Sequence, residues 1–209
     1  MKKLTLSLYA LFLVAALIGC KNSPEEGSTA AKEDATVVAA KFKEFLGKFS
    51  PLETELPKTF GEEWIAERTG KTRMDSTDLK RFIYGNKVIN HQFGDGQKEK
   101  EIVLDNKQEY YYVCTVPLDS VYQSVIVSNL SKDQANTYML TYTNEGKFIS
   151  GITLQNLYLT KQPDGSIQKT TRESLVSDSK VIISRETVEG VGVTNIMYDI
   201  QPDGRITGK

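Results

Sequence analysis

Few residues of this chain have the types and spacing that catalysis requires. His91 is the sole histidine, which excludes a histidine-based metal cluster. It lies between Ile89 and Phe93 in an alternating stretch, with no nucleophile or orienting acid nearby. A histidine so placed reads as structural rather than as a general base. Cys114 shares an apolar face with Tyr112 and Val116, the setting of an inert thiol. Ser177-Asp178-Ser179-Lys180 has the S-x-x-K spacing of an acyl-serine site, but it sits in a turn before a strand instead of opening a core helix. G-x-S-x-G, a phosphate loop and a dinucleotide fingerprint are all missing. Asp95, Asp164 and Asp203 are turn residues and do not form a calcium loop. Glu62 and Glu63 would need a partner carboxylate at a set separation to cleave a glycosidic bond, and sequence spacing supplies none. The expectation is a protein that is not an enzyme and holds no metal or cofactor.

The tyrosines suggest contact instead of turnover. The chain has ten, most of them on expected strands. Each offers a flat apolar ring with a hydroxyl, suited to a sugar or a peptide, although tyrosine also simply favours strands. Tyr110, Tyr111, Tyr112, Tyr138 and Tyr142 form the candidate binding surface, with Tyr111 pointing opposite to Tyr110 and Tyr112.

Cys20 is the one cysteine with a chemical role to read. Lys2 and Lys3 precede an apolar run from Leu4 to Ile18, and Leu17-Ile18-Gly19-Cys20 closes it. A basic head, a short apolar stretch and a small residue mark a secretory signal rather than a spanning helix. The tetrad resembles the lipobox of bacterial lipoproteins. That resemblance implies cleavage before Cys20, a thioether-linked diacylglycerol on its sulfur and an acylated amino group. Several acyl chains anchor stably where one does not. Residues 21–34 are polar and read as a tether. Lys21 followed by Glu25 and Glu26 loosely resembles the export signal of Bacteroidetes surface lipoproteins. The outer membrane is the expected location, with the domain facing the periplasm or the outside.

Composition narrows the partners. The chain carries 26 basic and 27 acidic residues, so neither nucleic acid nor an anionic membrane surface has a basic footprint to meet. The residues after the anchor are enough to bury one large core without a disulfide.

Elements follow from periodicity. Ala35, Val38, Phe42, Phe45 and Phe49 recur at helical steps, predicting a helix over about 30–49 that Pro51 stops. Residues 50–80 are irregular, with short helices expected at Glu62–Arg68 and after Asp75. From about residue 87 the period becomes two. Strands are expected at 87–93, with Ile89, His91 and Phe93 on one face, at 102–104, at 110–118 with Tyr110, Tyr112, Cys114, Val116 and Leu118 on one face, and at 121–127. More follow at 136–143, 148–160, 167–175, 181–186, 194–200 and 205–207. In 148–160 the apolar parity switches from Ile152 and Leu154 to Leu157 and Leu159, predicting a bulge near Gln155-Asn156. The polar run 167–175 suits an edge strand. Gln162-Pro163-Asp164-Gly165 and Gln201-Pro202-Asp203-Gly204 share turn chemistry without making a repeat.

The expected organisation is a signal peptide at 1–19, a lipidated Cys20 with a flexible tether to 34, and one α+β domain at 35–209. In that domain an N-terminal helix packs on a mostly antiparallel, meander-like sheet. The expected role is a lipid-anchored, non-catalytic envelope module that binds a protein, glycan or peptide. The alternative is a lipid-handling or assembly lipoprotein with an apolar cavity between Phe42, Phe45 and the strands. A hydrolase using scattered carboxylates or serines ranks last.

Overall fold

A large mixed β-sheet dominates the chain. The computed structural model describes residues 34–68, 71–91, 99–131 and 134–209. These belong to a compact unit, Asp34–Lys209. The expected signal peptide, Cys20, the expected tether up to Glu33 and the expected Gly94-Asp95-Gly96 turn lie outside the described residues. No described helix is long and apolar enough to cross a membrane.

Helix α1, Ala35–Leu46, starts where Asp34 accepts the Thr36 backbone N–H at 2.9 Å, one of the donors a helix start leaves without a partner. It ends at Gly47, whose N–H bonds the Lys43 carbonyl. It therefore stops before Phe49 and Pro51. Phe42 and Phe45 face inward. Phe49 joins them from the loop beyond the helix, with its ring 5.0 Å from Phe45. Next come β1 (Ser50–Pro51), β2 (Lys58–Phe60), α2 (Glu62–Arg68) and α3 (Ser76–Asp78). Asp75 caps α3 through the Thr77 and Asp78 N–H groups, and a π-helical turn, Leu79–Ile83, continues it.

The strands are β3 (Lys87–His91), β4 (Glu99–Val103), β5 (Glu109–Thr115), β6 (Tyr122–Leu130), β7 (Gln134–Thr143), β8 (Phe148–Lys161), β9 (Ile167–Val176), β10 (Val181–Val188), β11 (Gly192–Ile200) and β12 (Ile206–Gly208). From β5 to β12 each pairs with the next in an antiparallel meander. Two parallel contacts, β1 with β5 and β3 with β8, make the sheet mixed.

Two apolar clusters result. One joins Phe42, Phe45 and Phe82 to Tyr112, Leu140 and Tyr142. The other collects Phe60, Cys114, Ile126, Met139, Ile152, Val176, Ile182 and Tyr198. On β5–β7 the clusters occupy opposite faces.

Two expectations change here. Tyr110, Tyr112, Cys114 and Val116 do not share a face. Tyr112 opposes Val127 and Cys114 opposes Ile126, so Val113 is an inserted residue and Cys114 and Val116 turn to the other cluster. In β3 Val88 and Asn90 are buried, at 0% and 1% exposure, and Ile89 packs half-buried against the second cluster. Strand β9 is internal. It pairs with β8 and β10, and at its end with β2. Two of its polar residues are buried with partners: Arg172 against Glu186, and Ser174 against Ser184 and the Leu154 carbonyl.

Candidate functional site

The sheet forks at Leu154. Thr137 opposes Gln155 and Tyr138 opposes Thr153, so Leu154 has no partner across the β7–β8 ladder. This is the expected bulge, next to its expected place. Before it, the free side of β8 takes β3, with Ile89 opposite Ile152. After it, that side takes β9, from Asn156 opposite Arg172 onward. The extra residue also reverses parity. Ile152 and Leu154 point into the second apolar cluster, whereas Asn156, Tyr158 and Thr160 line a cavity. A bulge that re-aims side chains in this way is a recurrent device near sites.

The cavity has a volume of about 660 Å³, within the roughly 300–1,000 Å³ range of small-molecule sites. Tyr110, Asn136, Asn156 and Glu186 supply its floor, and they belong to a single cross-strand row. Tyr110 opposes Asn129, Asn129 opposes Asn136, Asn136 opposes Asn156, Asn156 opposes Arg172, and Arg172 opposes Glu186. All six are at most 3% exposed. A second row of Gln134, Tyr158, Thr170 and Val188 lies nearer the mouth. The other branch of the fork adds Asn90 and an apolar wall of Ile102, Val103 and Leu104.

Most of the row is tied together. The Asn136 amide donates to Asn129 Oδ1 at 3.0 Å, and the Asn129 amide donates to the Tyr138 hydroxyl at 3.0 Å and to Gln108. Arg172 donates to Glu186 at 2.7 Å and to Asn90 at 3.3 Å. Removing either member of such a pair would strand a buried charge. Two acceptors differ from the rest: Asn136 Oδ1 and Asn156 Oδ1 are buried and accept no hydrogen bond. Each such group costs about 1–3 kcal/mol, and both belong to residues that line the cavity.

Burial sets the protonation of the phenols. It pushes Tyr110 up to about 12 and raises Tyr138 and Tyr158 above the ordinary tyrosine value. All three are protonated at neutral pH and available as O–H donors.

The five tyrosines singled out from sequence do not form one exposed surface. Tyr112 and Tyr142 are core residues, at 5% and 0% exposure. Tyr112 donates to Asp78 at 2.5 Å and Tyr142 to the Phe82 carbonyl at 2.6 Å. Tyr110 and Tyr138 are buried as well, but both line the cavity. Tyr111 is half-buried, and its hydroxyl donates to Glu109. The expected apolar cavity beside the helix is filled. Phe42 and Phe45 stack at 5.9 Å, Phe45 meets Phe82 at 4.6 Å and Phe42 meets Tyr142 at 5.3 Å. A methyl group on Gly146 would stand 2.6 Å from the Phe42 ring.

The residues with chemical potential are engaged or buried elsewhere. Lys180 binds Asp119 and lies over the Tyr122 ring, while Ser177 bonds Ser179. Cys114 is 3% exposed in the second cluster. Glu62 pairs with Lys169 at 3.2 Å. Among the described residues no group of histidine, cysteine, aspartate and glutamate could hold a metal ion. The side chain of His91 lies outside the described set.

Sequence reading missed Asn129, Asn136, Asn156, Arg172 and Glu186. A signal was present. Asparagine is depleted in strands, yet three stand inside runs otherwise rich in apolar and β-branched residues.

Comparison with protein-family models, with characterised proteins and with solved structures finds no match.

Proposed function

We propose that this chain is a lipid-anchored envelope protein that binds a ligand in the forked-sheet cavity and does not transform it. It is an α+β domain in which helix α1 lies against the filled part of the meander, leaving the other end of that face open for recognition. Cys20 carries the lipid, residues 21–33 act as the tether, and the outer membrane is the anchoring surface.

One observation carries the binding reading. Two neighbouring amide oxygens, Asn136 Oδ1 and Asn156 Oδ1, are buried without partners in the floor of a cavity large enough for a ligand. A purely structural floor would gain from apolar residues of similar shape. The polar row is explained if a ligand completes it.

Two measurements test the reading. The full chain is incubated with an extract of envelope material from the producing cells, and native mass spectrometry follows. Wild type should retain a species of unchanged mass that Asn156→Leu fails to retain. Conversion of an extract component to products by wild type, lost in the variant, would replace binding with catalysis. Separately, labelled palmitate should enter wild type and not Cys20→Ala; equal labelling of both would remove the anchor.

A further inference from the structure

Taking that binding reading as given, we infer that the cavity holds a short neutral carbohydrate whose hydroxyl groups donate to Asn136 Oδ1 and Asn156 Oδ1. Four features of the cavity point to this chemistry.

The first is the need for donors. The two unpartnered floor atoms are acceptors, so the ligand must bring hydrogens to them. Around them stand groups that donate as well as accept: the protonated phenols of Tyr110, Tyr138 and Tyr158, and the hydroxyls of Thr160 and Thr170. A ligand that must both donate and accept at short range is best served by hydroxyl groups.

The second is charge. The described lining includes the carboxylates of Asp105 and Glu186 and no lysine or arginine. Glu186 is held by Arg172 at 2.7 Å, and Asp105 faces Lys107 at 3.8 Å. A phosphate or uronate would meet carboxylates without a free cation, and a cationic ligand would have to compete for carboxylates already engaged. A neutral ligand avoids both costs.

The third is the wall opposite the amides. Ile102 and Leu104 form it, Val188 flanks it from the sheet, and Val103 and Val191 are 54% and 59% exposed. A sugar ring has hydroxyls around its edge and C–H groups on its faces. It can place the first on the amide row and the second against valine and tyrosine, as sites with an apolar body and a few placed polar groups do.

The fourth is spacing, which separates sugar from peptide. Asn136 and Asn156 face each other on neighbouring strands, so they stand about 4.8 Å apart along the row. An extended peptide presents N–H groups to one side only every second residue, about 6.8 Å apart at the strand rise. Hydroxyls on one ring lie closer together and match neighbouring rungs better.

The test titrates the full chain, in detergent micelles, with neutral gluco-, manno-, galacto-, xylo- and chito-oligosaccharides. Uronate-containing oligosaccharides and a pool of neutral peptides serve as the other arms. Binding is read by calorimetry and ligand-observed NMR. At least one neutral oligosaccharide should bind, and Asn156→Leu should weaken it about tenfold or more. Thr160→Ala, an exposed change at the mouth that leaves the core intact, should weaken it by a few-fold. The uronate counterpart should bind at least about tenfold more weakly. If the peptides or the uronates bind instead and depend on Asn156, the carbohydrate assignment fails while the binding reading stands. The assignment fails in the same way if no sugar binds and the species retained from the extract has no saccharide mass. If nothing from the panel or the extract is held in an Asn156-dependent way, both fall.

Discussion

Strand β7 passes through two environments without changing face. Tyr142, Leu140 and Tyr138 lie toward the aromatic cluster, then Asn136 and Gln134 continue the same alternation into the cavity. At the first end helix α1 and the π-helical turn cover the sheet, and Phe42, Phe45, Phe49 and Phe82 fill the space. At the second end β3 and β4 branch away at Leu154 and leave the space open. The filled end is apolar and adds stability. The open end retains a buried ion pair and two acceptors without partners, groups that cost stability unless something meets them. Position along one strand thus separates what holds the fold from what is available to a ligand.

The contrast can be broken most directly at the filled end. Phe45→Ala removes a ring that touches Phe42, Phe49, Phe82, Tyr112 and Tyr142. It should cost about 3–5 kcal/mol, seen as a large drop in the denaturant midpoint. A loss below about 1 kcal/mol would mean that α1 does not stabilise the sheet. At the open end, Arg172→Met leaves Glu186 buried without its cation and should cost about 3 kcal/mol. Adding Glu186→Leu should recover most of that loss; a double variant as unstable as the single would show that the pair is not the relevant unit.

A smaller effect of opposite sign sharpens the comparison. Asn156→Leu should raise stability by about 1 kcal/mol by removing an acceptor without a partner, while it weakens binding. A variant that is less stable than wild type would show Asn156 to be a structural residue. This trade between stability and function is common at sites.

The smallest effect concerns the pin between α1 and α3. Lys48 donates to Asp75 at 2.6 Å and to Asp78 at 2.7 Å. The Lys48 hydrogen bond holds the Asp75 carboxyl below the ordinary carboxylate value, and the bonds to Asp75 and Asp78 raise Lys48. The Asp75 contribution is complete above its unfolded value and fades as pH falls through the lowered folded one. The Lys48 contribution is complete below the ordinary lysine value and fades only as pH rises beyond it. Thermal midpoints followed from neutral to acid pH should fall less steeply in Lys48→Met than in wild type, and parallel slopes would exclude the pin.

Much of the scaffold was legible from local pattern. The stripe of Phe42 and Phe45, the Asp75 cap, the run of strands after residue 87 and the parity switch in 148–160 are all short-range signals. They survive into the fold because neighbouring residues suffice to produce them. Boundaries moved: α1 ended at Leu46, before Pro51, and the extra residue Val113 turned Cys114 to the far side. The site was far less legible. Tyr110 and Tyr138 were singled out for exposure they do not have, and the polar length of β9 suggested an edge because a buried Arg172–Glu186 pair cannot be told from solvated charges in a linear reading.

The sequence alone determined that most of this chain would be strand and that β8 would need an extra residue. It also determined that no familiar catalytic set would be spelled out. Alternation, turn residues and motif spacing are properties of adjacent positions. Only the tertiary structure decided that Asn129, Asn136, Asn156, Arg172 and Glu186, spread over 58 positions of chain, form one row. Cross-strand register depends on how long-range pairing resolves around three register shifts, and that is a property of the whole sheet.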